Sequence, residues 1–247
     1  MFSRSIALLG EESMALLQSK RVILFGIGGV GSWCAECLIR TGLTHLTIVD
    51  GDVVQPSNIN RQLPATRATI GRPKVEVLKE RLLAINPDAD IKAINTYYGE
   101  NGISKDGSFN FQLSTFHFVI DAIDDVAAKT NLIIHATRIR GLKLLCSMGA
   151  ALRFDPTKVT TGELMAIKGD ALAKAVRARM KKLGAKPYRK VKCVYSTENA
   201  IRIQNTDRGA DKVQSELPVK GSLMQVTAVF GCTLASLVIE DIKKGAR

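Results

Sequence analysis

Short apolar runs alternate with stretches of helical hydrophobic spacing over the first 150 residues. The apolar runs, each predicted to be a strand, lie at 21–26, 46–50, 91–95, 116–123 and 143–149. Helical spacing predicts helices at about 30–41, from Pro73 to Asn86, and at about 126–140. This alternation is typical of a parallel sheet covered by helices on both faces. We therefore predict an α/β fold with a mostly parallel sheet.

The alternation breaks from residue 155 and charge becomes dense. Between Lys168 and Lys192 there are ten Lys or Arg and one Asp, and apolar residues recur at helical spacing over 172–183. The most apolar stretch, 223–239, contains four polar residues, which favours a buried core helix and predicts no stable membrane insertion. We interpret 1–247 as a single domain, with 155–215 as a basic C-terminal extension and 222–244 as a helix that packs back on the core.

Composition indicates a globular protein with a polyanionic partner. The 46% hydrophobic content excludes a disordered chain, and 35 Lys and Arg against 23 Asp and Glu give a net charge of +12. The five cysteines are odd in number and lie mostly in apolar surroundings, as expected in a reducing compartment without disulfides. The N-terminal residues lack the apolar run of a secretory signal, so we expect a cytoplasmic protein.

A glycine-rich turn follows the first predicted strand and opens the first predicted helix. It contains Gly26, Gly28, Gly29 and Gly31, and Asp50 ends the next strand. Glycines let the backbone approach a phosphate at a helix N-terminus, and the carboxylate can accept from ribose hydroxyls. The motif predicts a Rossmann-like nucleotide site, but NAD, FAD and ATP all remain candidate ligands.

Two cations close to this turn favour a triphosphate. Arg61 lies in the segment Ser57–Gln62, and Lys74 ends Gly71-Arg72-Pro73-Lys74. Both can clamp phosphates on which charge develops as pyrophosphate leaves. An NAD-dependent oxidoreductase, the alternative from another class, leaves both cations unexplained.

These motifs, together with Ile85-Asn86-Pro87 and Asp121-Ala-Ile-Asp124, resemble the adenylating domain of ubiquitin-activating enzymes and of the molybdopterin and thiamine sulfur-carrier adenylyltransferases. The resemblance spans about residues 4 to 150. It implies ATP and Mg²⁺ as cofactors and a homodimer. It also implies that Asp50 and Asn58 hold the ribose, that Arg61 and Lys74 hold the phosphates, that Asp124 holds magnesium, and that Arg4 enters the partner's ATP site.

Within this superfamily the chain is most similar to the tRNA threonylcarbamoyladenosine dehydratases, and that likeness covers nearly the whole chain. It is carried by the segments 28–33, 40–42, 121–129 and 192–198. It implies ATP-dependent cyclisation of the threonylcarbamoyl group of a tRNA adenosine, with a sulfur-relay protein as a candidate partner. The charge and the resemblance together predict tRNA contacts by Lys174, Arg177, Arg179, Lys181 and Lys182.

Three alternatives remain open in the sequence. Cys193 is either an acyl acceptor or a small strand residue. The chain also departs from the sequence pattern of the dehydratases at 147–151 and 217–221. An activating enzyme for a sulfur carrier or ubiquitin-like protein normally has two Cys-x-x-Cys zinc pairs, whereas this chain has one, Cys34 and Cys37. A non-catalytic member of the superfamily is disfavoured because the phosphate-binding set is complete.

Overall fold

A seven-stranded sheet forms the centre of the molecule. The computed structural model describes residues 1–201 and 221–246. Its strands are β1 Arg21–Phe25, β2 His45–Val49, β3 Asp90–Ile94, β4 Phe118–Asp121, β5 Lys143–Ser147, β6 Val159–Glu163 and β7 Lys192–Ser196. They lie in the order β3-β2-β1-β4-β5-β7-β6 and are parallel except for β6, which runs antiparallel to β7. The predicted α/β class with a Rossmann-like sheet is confirmed.

From β1 to β5 the strands and helices follow one another along the chain as the hydrophobic pattern predicts. The helices are α1 Ser3–Leu9, α2 Glu11–Gln18, α3 Gly31–Thr41, α4 Lys74–Ile85, α5 Val126–Arg138, α6 Ala171–Lys182 and α7 Met224–Gly245.

Helices cover both faces of the sheet because the strands are buried on both sides. Successive residues of β1 alternate: Val22 and Leu24 face a core formed with α3, α4 and α7, whereas Ile23 and Phe25 face a second core formed with α5 and α6. This explains why the strands read as continuous apolar runs and not as an alternating pattern.

The chain reverses its direction of travel across the sheet between β1 and β4. Strands β2 and β3 lie on one side of β1 and the later strands lie on the other. In such sheets, ligands bind in the crevice at the carboxyl ends of the strands at this switch point. The loop after β1 and the loop after β4 meet there, since Phe25 is in register with Asp121.

The described part of the 155–215 segment adds two strands, β6 and β7, to the same sheet. Its helix α6 packs in the second core. Residues 202–220, which include most of the altered 217–221 stretch, lie outside the described residues. Helix α7 is long and apolar enough to cross a membrane by composition, yet half of its most apolar window is buried in the fold. Its Phe230, Leu234 and Val238 pack in the first core with α3.

Candidate active site

The four glycines of the first loop have different roles. Gly26 has a φ of +89°, and a Cβ there would lie 2.6 Å from the carbonyl oxygen of Ala122. A Cβ at Gly31 would lie 1.8 Å from the Gly26 oxygen. These two glycines are therefore required for packing. A Cβ at Gly28 would lie 3.8 Å from Nε2 of Gln62, an ordinary contact distance, so there is space for a side chain beside the backbone at this position.

This loop presents backbone donors to that space. Among the described residues, the N–H groups of Gly28, Gly29 and Val30 have no hydrogen-bond acceptor, and α3 begins at the next residue. Free N–H groups at a helix N-terminus form a site suited to a phosphate.

Asp50 holds the loop in place from the end of β2. Its carboxylate accepts the N–H of Ile27 at 2.6 Å and the N–H of Asp52 at 2.8 Å. Burial raises the pKa of Asp50, while nearby Lys74 and the two backbone donors oppose that rise. The side chain predicted to hold the ribose therefore also fixes the backbone around the glycine loop.

Asn58 and Arg61 follow in a short 3₁₀ segment and the turn after it. Asn58 is buried, and its Oδ1 accepts the N–H of Gln55 at 3.1 Å. The guanidinium of Arg61 donates to the Ser57 carbonyl oxygen at 2.9 Å, and a Cβ at Gly29 would lie 3.2 Å from its Cγ. The structure thus brings Arg61 against the glycine loop, as the motif predicts.

Lys74 reaches the same edge as the first residue of α4. Its ammonium is almost fully buried and lies 2.6 Å from Oδ2 of Asp52, whose Oδ1 accepts the hydroxyl of Tyr97 at 2.6 Å. Burial alone would raise the pKa of Asp52, but the hydrogen bonds from Lys74 and Tyr97 lower it. The bond to Asp52 also raises the pKa of Tyr97 to about 12. Sequence reasoning missed Asp52 and Tyr97.

Asp124 and Asp125 end the loop between β4 and α5 and differ in their contacts. Asp125 caps α5, accepting the N–H of Ala128 at 2.7 Å. Asp124 is exposed, and its carboxylate has no hydrogen-bond or ion-pair partner within residues 1–201 and 221–246. A lone carboxylate beside a phosphate site fits Mg²⁺, which binds one or two carboxylates together with substrate phosphates.

Arg4 lies apart from this cluster in its own chain. It is exposed on α1, and no residue of α1 is buried. A Cβ at Gly42, the residue that follows α3, would lie 3.6 Å from the ring of Phe2. The start of α1 is therefore at the far end of α3, about 16 Å from the glycine loop for eleven residues.

The predicted tRNA contacts are spread along α6. Asp170 caps this helix and also accepts the N–H of Gly149, which places the start of α6 at the carboxyl edge of the sheet. The helix then runs away from that edge for about 18 Å. Lys174, Lys181 and Lys182 are exposed, whereas Arg177 and Arg179 are half-buried and Arg177 donates to the Leu164 carbonyl oxygen at 2.8 Å.

The cysteines support the structural interpretation. Cys193 is fully buried in β7 opposite Cys146 of β5, and its Sγ lies 3.6 Å from the Val191 oxygen. A thiol in this position is not accessible to an acyl group. In the described part of the chain, no three His, Cys, Asp or Glu side chains are grouped as a metal site.

A buried ion pair supports the loop that carries Asp124. Lys129 Nζ lies 2.8 Å from Asp121 Oδ1, both side chains are fully buried, and Asp121 also accepts the N–H of Ile123 at 3.0 Å. Oδ2 of Asp121 has no partner among the residues described. The sequence does not predict this ion pair, because a lysine in a helix, such as Lys129, is expected to be exposed to solvent.

Replacing Lys129 with Met is expected to destabilise the fold by about 3–5 kcal/mol, since it leaves the Asp121 carboxylate buried without a cation. Burial already raises the pKa of Asp121, and Lys129 opposes that rise. Without Lys129 the folded chain binds a proton that the unfolded chain releases above about pH 4. The loss should therefore be larger at about pH 7 than at about pH 5 in urea unfolding.

The matched control is Arg138→Met, which removes an exposed cation from the same helix. Arg138 lies over the Tyr188 ring at 5.1 Å, so its loss is expected to cost less than about 1 kcal/mol. Equal destabilisation by the two variants, or a Lys129→Met effect independent of pH, would contradict this account of the ion pair.

The fold and this loop cluster define a Rossmann-like nucleotide-binding protein, in which the glycine loop, Arg61 and Lys74 form the candidate phosphate cradle at the switch point. The sequence matches the ThiF family over residues 2–244, and the chain belongs to that family. It is 33% identical over 249 residues to the tRNA threonylcarbamoyladenosine dehydratase of Bacillus subtilis (strain 168), covering 98% of this chain and 94% of that protein.

Solved structures of the Escherichia coli tRNA N6-threonylcarbamoyladenosine dehydratase are similar over almost the whole chain. The complex with ATP has a TM-score of 0.83 at 32% identity and covers 99% of this chain and 94% of that one. The complex with AMP has a TM-score of 0.84 at the same identity and coverage. This likeness covers more of the chain than the 53% that matches the molybdopterin-synthase adenylyltransferase of Escherichia coli (strain K12).

Proposed function

We propose that this chain is an ATP-dependent tRNA threonylcarbamoyladenosine dehydratase that activates the threonylcarbamoyl carboxylate by adenylation and then cyclises it. The proposal is supported by the free N–H groups of the glycine loop beside Arg61 and Lys74 at the switch point, in a chain that is similar to such a dehydratase over 99% of its length. The NAD-dependent alternative is disfavoured because it gives no role to Lys74 and Asp124.

The chemistry has two steps. The carboxylate oxygen attacks the α-phosphorus of ATP, the bond to the pyrophosphate oxygen breaks, and an acyl-adenylate forms. The neighbouring ureido group then attacks the acyl carbon, loses a proton and expels AMP, which carries away the carboxylate oxygen. Because both reacting groups belong to one nucleoside, positioning supplies much of the rate enhancement of the second step.

Residues around the cradle supply electrostatic stabilisation of the first step. The N–H groups of the glycine loop and the cations Arg61 and Lys74 would face the phosphates, where charge develops as pyrophosphate leaves. Asp50 and Asn58 would hold the ribose. Asp124 would hold Mg²⁺, which when bound neutralises phosphate charge. Lys74 is held 2.6 Å from Asp52 in this structure, so a bound triphosphate must compete with that carboxylate.

A homodimer would complete the site with Arg4 of the second copy. Arg4 is exposed, lies at the end of α3 opposite the cradle, and sits on a helix that buries none of its residues in its own chain. These features support an arrangement in which α1 contacts a partner and Arg4 acts in trans. In a symmetric dimer, each copy would give one arginine and receive one.

The adenylation step is tested by exchange of labelled pyrophosphate into ATP in the presence of tRNA that bears threonylcarbamoyladenosine. We expect exchange that depends on that tRNA. Binding of ATP with no exchange at saturating tRNA would favour the non-catalytic alternative. A sulfur-relay partner stays a prediction of the resemblance, because neither step written above consumes sulfur.

Exposed lysines of α6 would bind tRNA phosphates. Lys174 and Lys181 lie seven residues apart and share one face of the helix, with Lys182 beside them. Reversing all three to Glu is expected to raise the KM for tRNA and to make tRNA binding less sensitive to salt. The slope of log affinity against log salt concentration should become less steep by about 0.7–0.9 for each lost contact. ATP binding should be unchanged. The measurement is tRNA binding across a salt titration.

The control is a charge-matched triple reversal of Lys92, Lys243 and Lys244, which are exposed on β3 and at the end of α7. This control changes the net charge of the protein by the same amount and leaves the sequence of α6 unaltered. Unaltered tRNA binding by the α6 variant, or equal losses in both triples, would show that α6 is only a solvated surface.

A further inference from the structure

Two thiols outside the nucleotide site lie almost in contact. Cys37 of α3 and Cys232 of α7 have their Sγ atoms 3.4 Å apart. Cys232 is exposed and Cys37 is half-buried. They are separated by 195 positions in the chain, so the contact depends on the folded packing of the two helices.

The close packing of α3 and α7 brings these sulfurs together. Gly231 precedes Cys232, and a Cβ at Gly231 would lie 2.5 Å from the Val30 oxygen and 2.8 Å from the Cys34 nitrogen. The two helix backbones therefore touch at this point. Cys34, one turn before Cys37, is fully buried and burial raises its pKa, so it is excluded from thiolate chemistry.

We propose that Cys37 and Cys232 form a thiol-modification site in which a low-molecular-weight disulfide, such as glutathione disulfide, oxidises the pair to a reversible intramolecular disulfide. The sulfurs would need to approach from 3.4 Å to about 2.05 Å. Side-chain rotation and a small shift of one helix against the other account for that change. The resting state in a reducing compartment is the dithiol.

The steps assign different roles to the two thiols. The Cys37 hydrogen bond lowers the pKa of Cys232 to about 7, against the opposing effect of burial, so the exposed thiol is the attacking group. Its thiolate attacks one sulfur of the oxidant, and the first glutathione thiolate leaves and takes up a proton. Cys37 then loses its proton, attacks Sγ of Cys232 and expels the second glutathione thiolate. One oxidant is reduced to two thiols as the protein dithiol is oxidised.

A second thiol pair in the chain is an internal comparison. Cys146 and Cys193 are directly paired between β5 and β7. Both are fully buried, so an oxidant cannot reach them in the folded protein. We therefore propose that the two pairs differ in whether an oxidant can reach the thiols, and not in how close the paired cysteines lie.

The consequence is a covalent bond between α7 and the helix that begins at the glycine loop. The first turn of α7 also faces this loop, because a Cβ at Gly29 would lie 3.2 Å from Oγ1 of Thr227. Oxidation would therefore fix two elements that border the nucleotide site.

The test uses the folded full-length chain in glutathione buffers of increasing oxidation, followed by alkylation, digestion and mass spectrometry. We expect a crosslinked Cys37–Cys232 peptide that dithiothreitol removes, with the other three cysteines alkylated only after unfolding. Cys37→Ser should trap glutathione on Cys232, because the resolving thiol is gone. Cys232→Ser should give neither product.

The proposal is overturned if both thiols stay free in a buffer that oxidises the unfolded chain. It is also overturned if Cys232 of the wild-type chain joins only to glutathione, or to a cysteine other than Cys37. These outcomes are read on the wild-type protein, so they do not depend on whether either serine variant folds.

Discussion

Replacing Asp124 with Ala is expected to lower the rate of AMP formation by about 10²- to 10³-fold, since a metal ion's stabilisation of transition-state charge is worth several kcal/mol. Asp124 is exposed and without a protein partner in the described structure, so thermal stability should not change. The measurement is AMP release with saturating ATP and modified tRNA, alongside a melting curve.

The neighbouring carboxylate is the matched control for Asp124. Asp125→Ala removes the cap of α5 and is expected to cost about 0.5–2 kcal/mol of stability. Its AMP release should stay near wild type. Near-normal AMP release by Asp124→Ala, or equal losses of activity in both variants, would remove Asp124 from the proposed metal site.

Mixing inactive Arg4→Ala with inactive Lys74→Ala is expected to restore about a quarter of wild-type activity. About half of the dimers are then mixed, and one of their two sites combines an intact Lys74 with an intact Arg4 from the other copy. The physical reason is that α1 lies far from the phosphate cradle of its own chain, so that Arg4 would act on the cradle of the other copy. The measurement is AMP release after subunit exchange.

A mixture of Lys74→Ala with Asp124→Ala is the control, because both changes damage the site of their own chain. No restoration is expected there. Restoration in the control, or none in the first mixture despite demonstrated subunit exchange, would contradict the trans arrangement.

The sequence predicts the first half of the fold well because local and global signals agree there. The apolar run 21–26, the glycine loop and the apolar run 46–50 predict β1, α3 and β2 to within one or two residues. The cradle follows from these boundaries, since residues just after parallel strands meet at one edge. Helices α1 and α2 and strand β6 were missed, because their residues carry weak or mixed periodicity.

The remaining features of the site depend on contacts that sequence spacing does not encode. Asp52 pairs with Lys74 across 22 positions, and Tyr97 reaches Asp52 from the segment after β3. The helical spacing over α6 predicts its buried face, yet it does not show that Arg177 is partly engaged by the Leu164 oxygen. Both facts depend on tertiary packing.

Dehydratase activity is measured by incubating the protein with ATP, Mg²⁺ and tRNA that bears threonylcarbamoyladenosine, and then determining nucleoside masses. We expect the modified nucleoside to lose the mass of one water while AMP and pyrophosphate form in equal amounts. Omission of ATP should abolish the change. An unchanged nucleoside mass, with the protein folded and ATP bound, would contradict the assignment of this chain as a dehydratase.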